Sequence, residues 1–130
     1  MNTKPLKRNL FWMFFSFYGR ISRREYWWAQ LSLLAFFVAA VFIIDRSGGL
    51  DEPEASTAAV LGIAVLLQII WFFGICVAVK RVHDIGWPGG LAVLLFIPLL
   101  GFLFWLKIGF SKGQMTENRY GLPLSQAGPE

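Results

Sequence analysis

The sequence feature that most constrains the fold is the stretch from Ala58 to Val79, which contains no charged side chain. As a helix its twenty-two residues would be about 33 Å long, close to the ~30 Å hydrocarbon core of a bilayer. A second stretch, Tyr26 to Ile44, has nineteen residues, and its polar members are Gln30 and Ser32. We therefore predict two membrane spans, 26–44 and 58–79.

The overall composition agrees with a membrane environment. Hydrophobic residues make up 56% of the 130 residues and charged residues 15%, so a soluble domain could not cover its apolar surface. The net charge is +4, but the twelve Lys and Arg residues lie at the ends of apolar runs rather than along one stripe. That distribution is typical of membrane flanks. We expect the lipid bilayer as a partner and no nucleic acid.

The N-terminal apolar run, Leu10 to Tyr18, is too short to span a bilayer. It follows a basic segment and is rich in Phe, so we predict an interfacial helix over 10–18. Two alternatives stay open. One is a signal peptide, although no small-residue cleavage site follows the run. The other is an ordinary helix that packs on the spans.

A capping box marks the start of the first span. Ser22 and Glu25 have the required spacing, so each side chain can bond the backbone N–H of the other, and a helix should begin near Arg23. The aromatic residues that follow, Tyr26 to Trp28, form a belt of the kind found at membrane interfaces.

The stretch Lys80 to Gly90 separates the second span from a third apolar run, and we interpret it as a polar turn. The third run, 87–106, contains Pro98, which should kink or break it. The run is either a third span or a re-entrant hairpin, followed by a polar tail over 107–130.

Charge and geometry disagree about this third run. A crossing divides the Lys and Arg residues eight inside and four outside, whereas a hairpin divides them eleven and one, which the positive-inside rule favours. However, each helical arm of a hairpin would reach only about 15 Å, and irregular backbone at Pro98 in lipid is costly. We therefore expect a kinked crossing. Near the middle of the second span, Gln68 should face another helix rather than lipid.

Three motifs occur in order along the chain. They are GRISRREYWW at 19–28, RVHDIGWPGG at 81–90 and TENRYGLP at 116–123. Together they resemble the small bacterial inner-membrane family catalogued as domain of unknown function 805. The resemblance runs from Phe11 to Pro123, and it departs from the family pattern at Leu122, where an aspartate often precedes the last proline. It implies an integral inner-membrane protein and supplies no activity.

The sequence offers little for catalysis. His83 and Asp84 are neighbours whose side chains diverge, and Cys76 lies about 10 Å from His83 along a helix. One histidine and one cysteine cannot fill a zinc site within one chain. We therefore predict no enzyme, no catalytic residues, no cofactor and no metal.

Seven polar residues should meet at the cytoplasmic surface, with Glu25 pairing with Arg81, or Asp84 with one of the arginines Arg20, Arg23 or Arg24. This polar cluster consists of Arg20, Arg23, Arg24, Glu25, Arg81, His83 and Asp84. Its basic residues could simply hold their flanks in the cytoplasm. The cluster could also bind anionic lipid headgroups or a partner protein.

We thus predict an all-α integral membrane protein, one domain over 1–130, with three apolar helices and an interfacial helix. Its N-terminus should be cytoplasmic, because six Lys or Arg residues precede the first span and one lies in the loop after it. The expected function is non-catalytic, through association with a second copy, a membrane partner or lipid. The alternative is a small transporter or channel subunit that acts as an oligomer. It is weaker because the polar members of the spans are Gln30, Ser32, Gln68 and Cys76, and the spans contain no charged residue.

Overall fold

The computed structural model describes residues 9–48 and 53–124, with side chains in the second range from residue 56 onwards. This part of the chain is helical and contains no β-strand, which confirms the all-α class. The basic residues Lys4, Lys7 and Arg8 and the last six residues of the expected tail lie outside the described residues. The helices are α1 (Leu10–Phe15), α2 (Arg23–Arg46), α3 (Pro53–Ile85), a 3₁₀ helix (Gly89–Phe96) and α4 (Leu100–Phe110).

Helix α2 begins where the capping box predicts. The Ser22 hydroxyl accepts a hydrogen bond from the Glu25 N–H at 3.2 Å, and the Glu25 carboxylate accepts from the Ser22 N–H at 2.6 Å. Helices α2 and α3 are both long and apolar enough to cross a membrane. They pack side by side, and the amide of Gln30 donates to the carbonyl of Gly74 at 3.4 Å.

Helix α3 extends six residues beyond the expected end at Val79. The interpretation of Lys80 to Gly90 as one turn is therefore wrong in its first half, because the turn begins only at Gly86, where φ is +87°. Charge does not end the helix here, since Lys80 and Arg81 are buried and hydrogen-bonded to backbone carbonyls of other segments.

The third apolar run breaks at Pro98, one of the two outcomes expected there. The 3₁₀ helix ends at Phe96, Leu99 has a φ of +45°, and α4 then runs back towards the start of α2. Near its end, the carbonyl of Trp105 accepts from the Tyr26 hydroxyl at 3.2 Å, and the carbonyl of Ile108 accepts from Arg81 Nε at 3.0 Å. Both ends of the run thus lie at one end of the α2–α3 pair. The chain path is therefore that of the hairpin alternative rather than of a kinked crossing, and the side of the membrane on which its ends lie stays a prediction.

The hairpin is feasible because of its helix type and its close packing. A 3₁₀ helix rises about 2.0 Å per residue, compared with 1.5 Å for an α-helix, so the first arm reaches about 16 Å with only eight residues. Phe96 packs against Trp71 with ring centroids 6.0 Å apart. Gly101 is buried, and a Cβ there would lie 2.8 Å from the carbonyl oxygen of Leu95, so only glycine lets the two arms touch.

Backbone hydrogen bonds are made at the hairpin tip despite the irregular backbone. The N–H of Ile97 donates to Leu94 O at 3.1 Å, and that of Gly101 donates to Ile97 O at 2.6 Å. Pro98 has no N–H to satisfy. The cost of irregular backbone in lipid is reduced accordingly.

Helix α1 has six residues and is shorter than the expected 10–18 helix. One side packs on α3, where Lys80 Nζ donates to the carbonyls of Met13 (2.8 Å) and Ser16. On the other side Leu10 and Phe11 are exposed. A packed helix with an exposed apolar side fits both alternatives, so the interfacial location stays a prediction.

The buried core lies at the end of the molecule where α2 begins and α3 and α4 end, while the outer parts of α2 and α3 expose large apolar side chains. Such exposure is expected where lipid, rather than protein, covers a helix. The apolar core consists of Ile21, Tyr26, Ala29, Cys76 to Val79, Val82, Ala92, Leu95, Phe104 and Ile108.

Candidate functional site

An aspartate lies between two arginines at the centre of this core end. Arg20 Nε donates to Asp84 Oδ1 at 3.0 Å, and Arg81 Nη1 donates to Asp84 Oδ2. The three side chains are at most 4% exposed, so the charges interact in a medium that screens them weakly. We call Arg20, Arg81 and Asp84 the Arg–Asp cluster.

The two guanidinium groups of the Arg–Asp cluster also donate to backbone carbonyls of several segments. Arg81 bonds Ile21 O, Ile108 O and Ser111 O. Arg20 bonds Gln114 O, Thr116 O and Gly121 O. Buried charges are tolerated when hydrogen bonds satisfy them in this way. The cluster therefore ties the start of α2, the end of α3, the end of α4 and the tail together.

The tail after α4 folds over the Arg–Asp cluster. The N–H of Gln114 donates to the carbonyl of Asp84 at 2.8 Å, and the amide of Asn118 donates to the carbonyl of His83 at 3.0 Å. The ring of Tyr120 stacks on His83 with centroids 3.7 Å apart and planes 10° apart. At Gly113 a Cβ would overlap the carboxylate of Asp84, so the close approach of the tail requires glycine.

The seven residues of the predicted polar cluster divide into three groups. The structure brings Arg20, Arg81, His83 and Asp84 together in the buried region. Glu25 serves in the capping box of α2. Arg23 and Arg24 are exposed in the first turn of α2, and neither makes an ion pair with Asp84. Among the expected ion pairs, Arg20 with Asp84 is present, whereas the carboxylate partner of Arg81 is Asp84 rather than Glu25.

Sequence reasoning missed the role of the tail. Asn118 and Tyr120 hold it on His83, and Gly113 allows its approach. The available signal was the motif at 116–123, which includes both Asn118 and Tyr120.

A groove lies beside the two exposed arginines, between the first turns of α2 and the end of α4. Its volume is about 350 Å³. Within the described part of the chain, neither arginine makes a hydrogen bond or an ion pair. We call this groove the arginine groove. It is lined by Arg23, Arg24, Trp27, Trp28, Leu31, Gly109 and Phe110.

The arginine groove changes character along α2. Arg24, Trp28 and Leu31 lie on one side of the helix, because residues three, four and seven apart share a face. From Arg24 to Leu31 the helix rises about 10 Å, so the groove becomes apolar within two turns. Its far wall forms where Trp27 packs on Phe110, with ring centroids 5.2 Å apart.

Comparison with known proteins identifies the family. Residues 7–122 match the family described as "Protein of unknown function (DUF805)". The chain belongs to this family. It is 33% identical over 106 residues to the inner membrane protein YhaI of Escherichia coli K12, an alignment that covers 81% of this chain and 82% of YhaI. It is 30% identical over 107 residues to the inner membrane protein YhaH of the same strain, covering 81% of this chain and 84% of YhaH. No solved structure matches.

The DUF805 match confirms the resemblance noted in the sequence, and the chain is a membrane protein. The matched range includes the Arg–Asp cluster, the arginine groove and all but the end of the described tail. The relatives are named as inner membrane proteins, and neither name gives an activity. Within residues 9–48 and 53–124, no three His, Cys, Asp or Glu side chains lie close enough together to hold a metal ion.

Proposed function

We propose that this DUF805 protein is a non-catalytic membrane protein that binds an anionic phospholipid in the arginine groove, at the cytoplasmic face of the inner membrane. One observation carries the proposal. Two exposed arginines, unpaired within the described residues, stand at the polar end of a groove that becomes apolar within two helical turns. A phospholipid matches this arrangement, because its charged phosphate is followed by apolar acyl chains.

The charge distribution supports a cytoplasmic location for the groove. With α2 and α3 as the two spans and the third run as a hairpin, the N-terminus, the groove and the tail share one side. Every Lys and Arg of the chain except Arg46 then lies on that side. The positive-inside rule places such a side in the cytoplasm.

A thiol-labelling experiment tests this orientation. In a Cys76→Ala background, Lys112→Cys places a thiol at an exposed position on the tail, and Ser47→Cys places one at the opposite end. In intact spheroplasts a membrane-impermeant maleimide should label position 47, and it should label position 112 only after permeabilisation. Labelling of position 112 before permeabilisation would contradict the proposed orientation.

The chemistry of the arginine groove fits a lipid phosphate. A guanidinium group binds phosphate oxygens through two parallel hydrogen bonds, and arginine is weakly hydrated compared with lysine. Trp27 and Trp28 are residues that favour the headgroup level of a membrane. Deeper in the groove, Leu31 presents an apolar surface to the first part of an acyl chain, while Phe110 packs on Trp27 in the wall. The Arg–Asp cluster is a weaker candidate site, because its guanidinium groups already bond Asp84 and six backbone carbonyls.

Lipid binding is tested with the full chain in nanodiscs. We expect enrichment of phosphatidylglycerol over phosphatidylcholine around the protein, measured by native mass spectrometry of bound lipids. The variant Arg23→Gln/Arg24→Gln should lose about thirty-fold in that preference, since each basic residue near an anionic surface contributes about 1 kcal/mol.

A charge-matched variant separates the groove from general surface attraction. Lys107→Gln/Lys112→Gln removes the same number of charges from exposed positions outside the groove. It should retain most of the lipid preference. Equal losses in the two double variants would overturn the groove as a site. A preference unchanged by loss of both arginines, together with loss of a co-purifying protein, would assign the groove to a protein partner instead.

A further inference from the structure

Gln68 is a polar side chain without a partner in the apolar part of α3. It is exposed, and within the described residues it makes no hydrogen bond. The other polar side chains of the predicted spans behave differently. Gln30 donates to Gly74 O, and Ser32 donates to Ala29 O at 2.8 Å. The expectation that Gln68 faces another helix is therefore not met within this chain.

The position of Gln68 on α3 directs it away from the rest of the molecule. Residues of α3 that turn towards α2 are half-buried and recur every three or four positions, at Ile63, Leu66 and Ile70. Gln68 is two residues from both Leu66 and Ile70, a separation of about 200° around the helix axis, so it lies on the opposite side. We call that side the outer face of α3.

The outer face of α3 is apolar apart from Gln68. Leu61, Val65 and Phe72 lie on it at spacings of four, three and four residues, and each is exposed. Ala64, also exposed, is one turn before Gln68 and would let a second helix approach closely. A helix face with this spacing can pack along a partner helix from Leu61 to Phe72, where the ring of Phe17 comes within 6.0 Å of the Phe72 ring.

Lipid cannot provide hydrogen bonds for the Gln68 amide at the centre of this face. An amide in hydrocarbon lacks hydrogen-bond partners, and burial of such a group without partners is unfavourable. Gln68 lies about ten residues from either end of the uncharged stretch 58–79, or roughly 15 Å as a helix. Its side chain is too short to reach the headgroups from there. The amide therefore needs a partner within the membrane.

We propose that this partner is Gln68 of a second copy, so that the chain forms a homodimer through the outer face of α3. Copies of one membrane protein insert in the same orientation, so a two-fold axis between them runs along the membrane normal. That axis places Gln68 of each copy at the same depth, facing its equivalent. A carboxamide carries both a donor and an acceptor, so the two side chains satisfy each other with two reciprocal hydrogen bonds. An unrelated partner would need a polar group at the matching depth.

The proposal does not rest on lipid binding, because Gln68 lies on α3 outside the arginine groove. Its test uses crosslinking of the full chain in bacterial membranes. In a Cys76→Ala background, Leu61→Cys places a thiol on the outer face two turns from Gln68, and Val38→Cys places one at an exposed position on α2. A short thiol crosslinker should give a dimer with the position-61 thiol and little with the position-38 thiol.

Adding Gln68→Leu to the Leu61→Cys chain should weaken dimerisation about ten-fold, as measured by titration of protein against lipid in liposomes. The substitution replaces an amide by an apolar side chain of similar size, so membrane insertion is retained, and an unchanged melting temperature of the monomer checks the fold. Equal crosslinking from positions 61 and 38 would overturn the proposal. Dimerisation of unchanged strength in the Gln68→Leu variant would overturn it too. A crosslinked product of this chain with a different protein would do so as well.

Discussion

Two pairs of arginines lie at the same end of the molecule and have different roles. Arg20 and Arg81 are buried and bond one carboxylate and six carbonyls, whereas Arg23 and Arg24 are exposed and have no partner in the described part. Arg20 precedes the N-cap of α2 and reaches inward, while Arg23 and Arg24 lie in the first turn of the helix and reach outward. The comparison shows that a run of basic residues at a membrane flank can combine a structural role with a candidate binding role.

Removal of the carboxylate that the buried arginines share should have the largest effect on stability. Asp84→Asn leaves the guanidinium groups of Arg20 and Arg81 buried without a counter-charge. We expect a loss of about 3–5 kcal/mol in the free energy of unfolding, the usual cost when one partner of a buried ion pair is removed. The measurement is thermal unfolding of the purified protein in detergent.

Glu117→Gln provides the control for Asp84→Asn. Glu117 is an exposed carboxylate in the tail, so removal of its charge should change the unfolding free energy little. If Asp84→Asn melted at the same temperature as this control, the Arg–Asp cluster would not hold the fold together.

The smallest expected effect on stability concerns the exposed pair. Arg23→Gln/Arg24→Gln should change the free energy of unfolding by no more than about 0.5 kcal/mol per site, because exposed positions without specific contacts tolerate substitution. Thermal unfolding under the conditions used for Asp84→Asn measures it. A loss comparable with that of Asp84→Asn would mean that the two arginine pairs do not differ in role.

Local sequence signals predicted local structure well. The start of α2 follows from Ser22 and Glu25, since a capping box involves only residues three apart. The end of α3 could not be found in the same way. Charged residues at Lys80 and Arg81 indicate a membrane flank, but the helix continues because their side chains bond carbonyls of distant segments. Backbone carbonyls are the same in every residue, so the sequence carries no mark of such acceptors.

The third apolar run and the tail illustrate the same limit. Pro98 correctly indicated an interruption, but the return of the chain after it depends on the backbone at Leu99 and on the close contact at Gly101. Likewise, the motif at 116–123 was visible in the sequence, and only the fold places Asn118 and Tyr120 against His83. The candidate site was thus found as a group of residues, and its division into buried and exposed parts required the structure.

The bonds of the Arg–Asp cluster also imply an order of assembly during synthesis. Asp84 and both arginines have been made once α3 is complete. Five of the six carbonyls that the arginines bond, however, belong to residues after 107, among them Ile108, Ser111 and Gln114. The hydrogen bonds of the two arginines are therefore complete only after residues 108–121 have been made. The segment after α4 thus closes the fold once the helices have been made, and in the orientation proposed above it does so in the cytoplasm, without moving the charged residues of the described tail across the membrane.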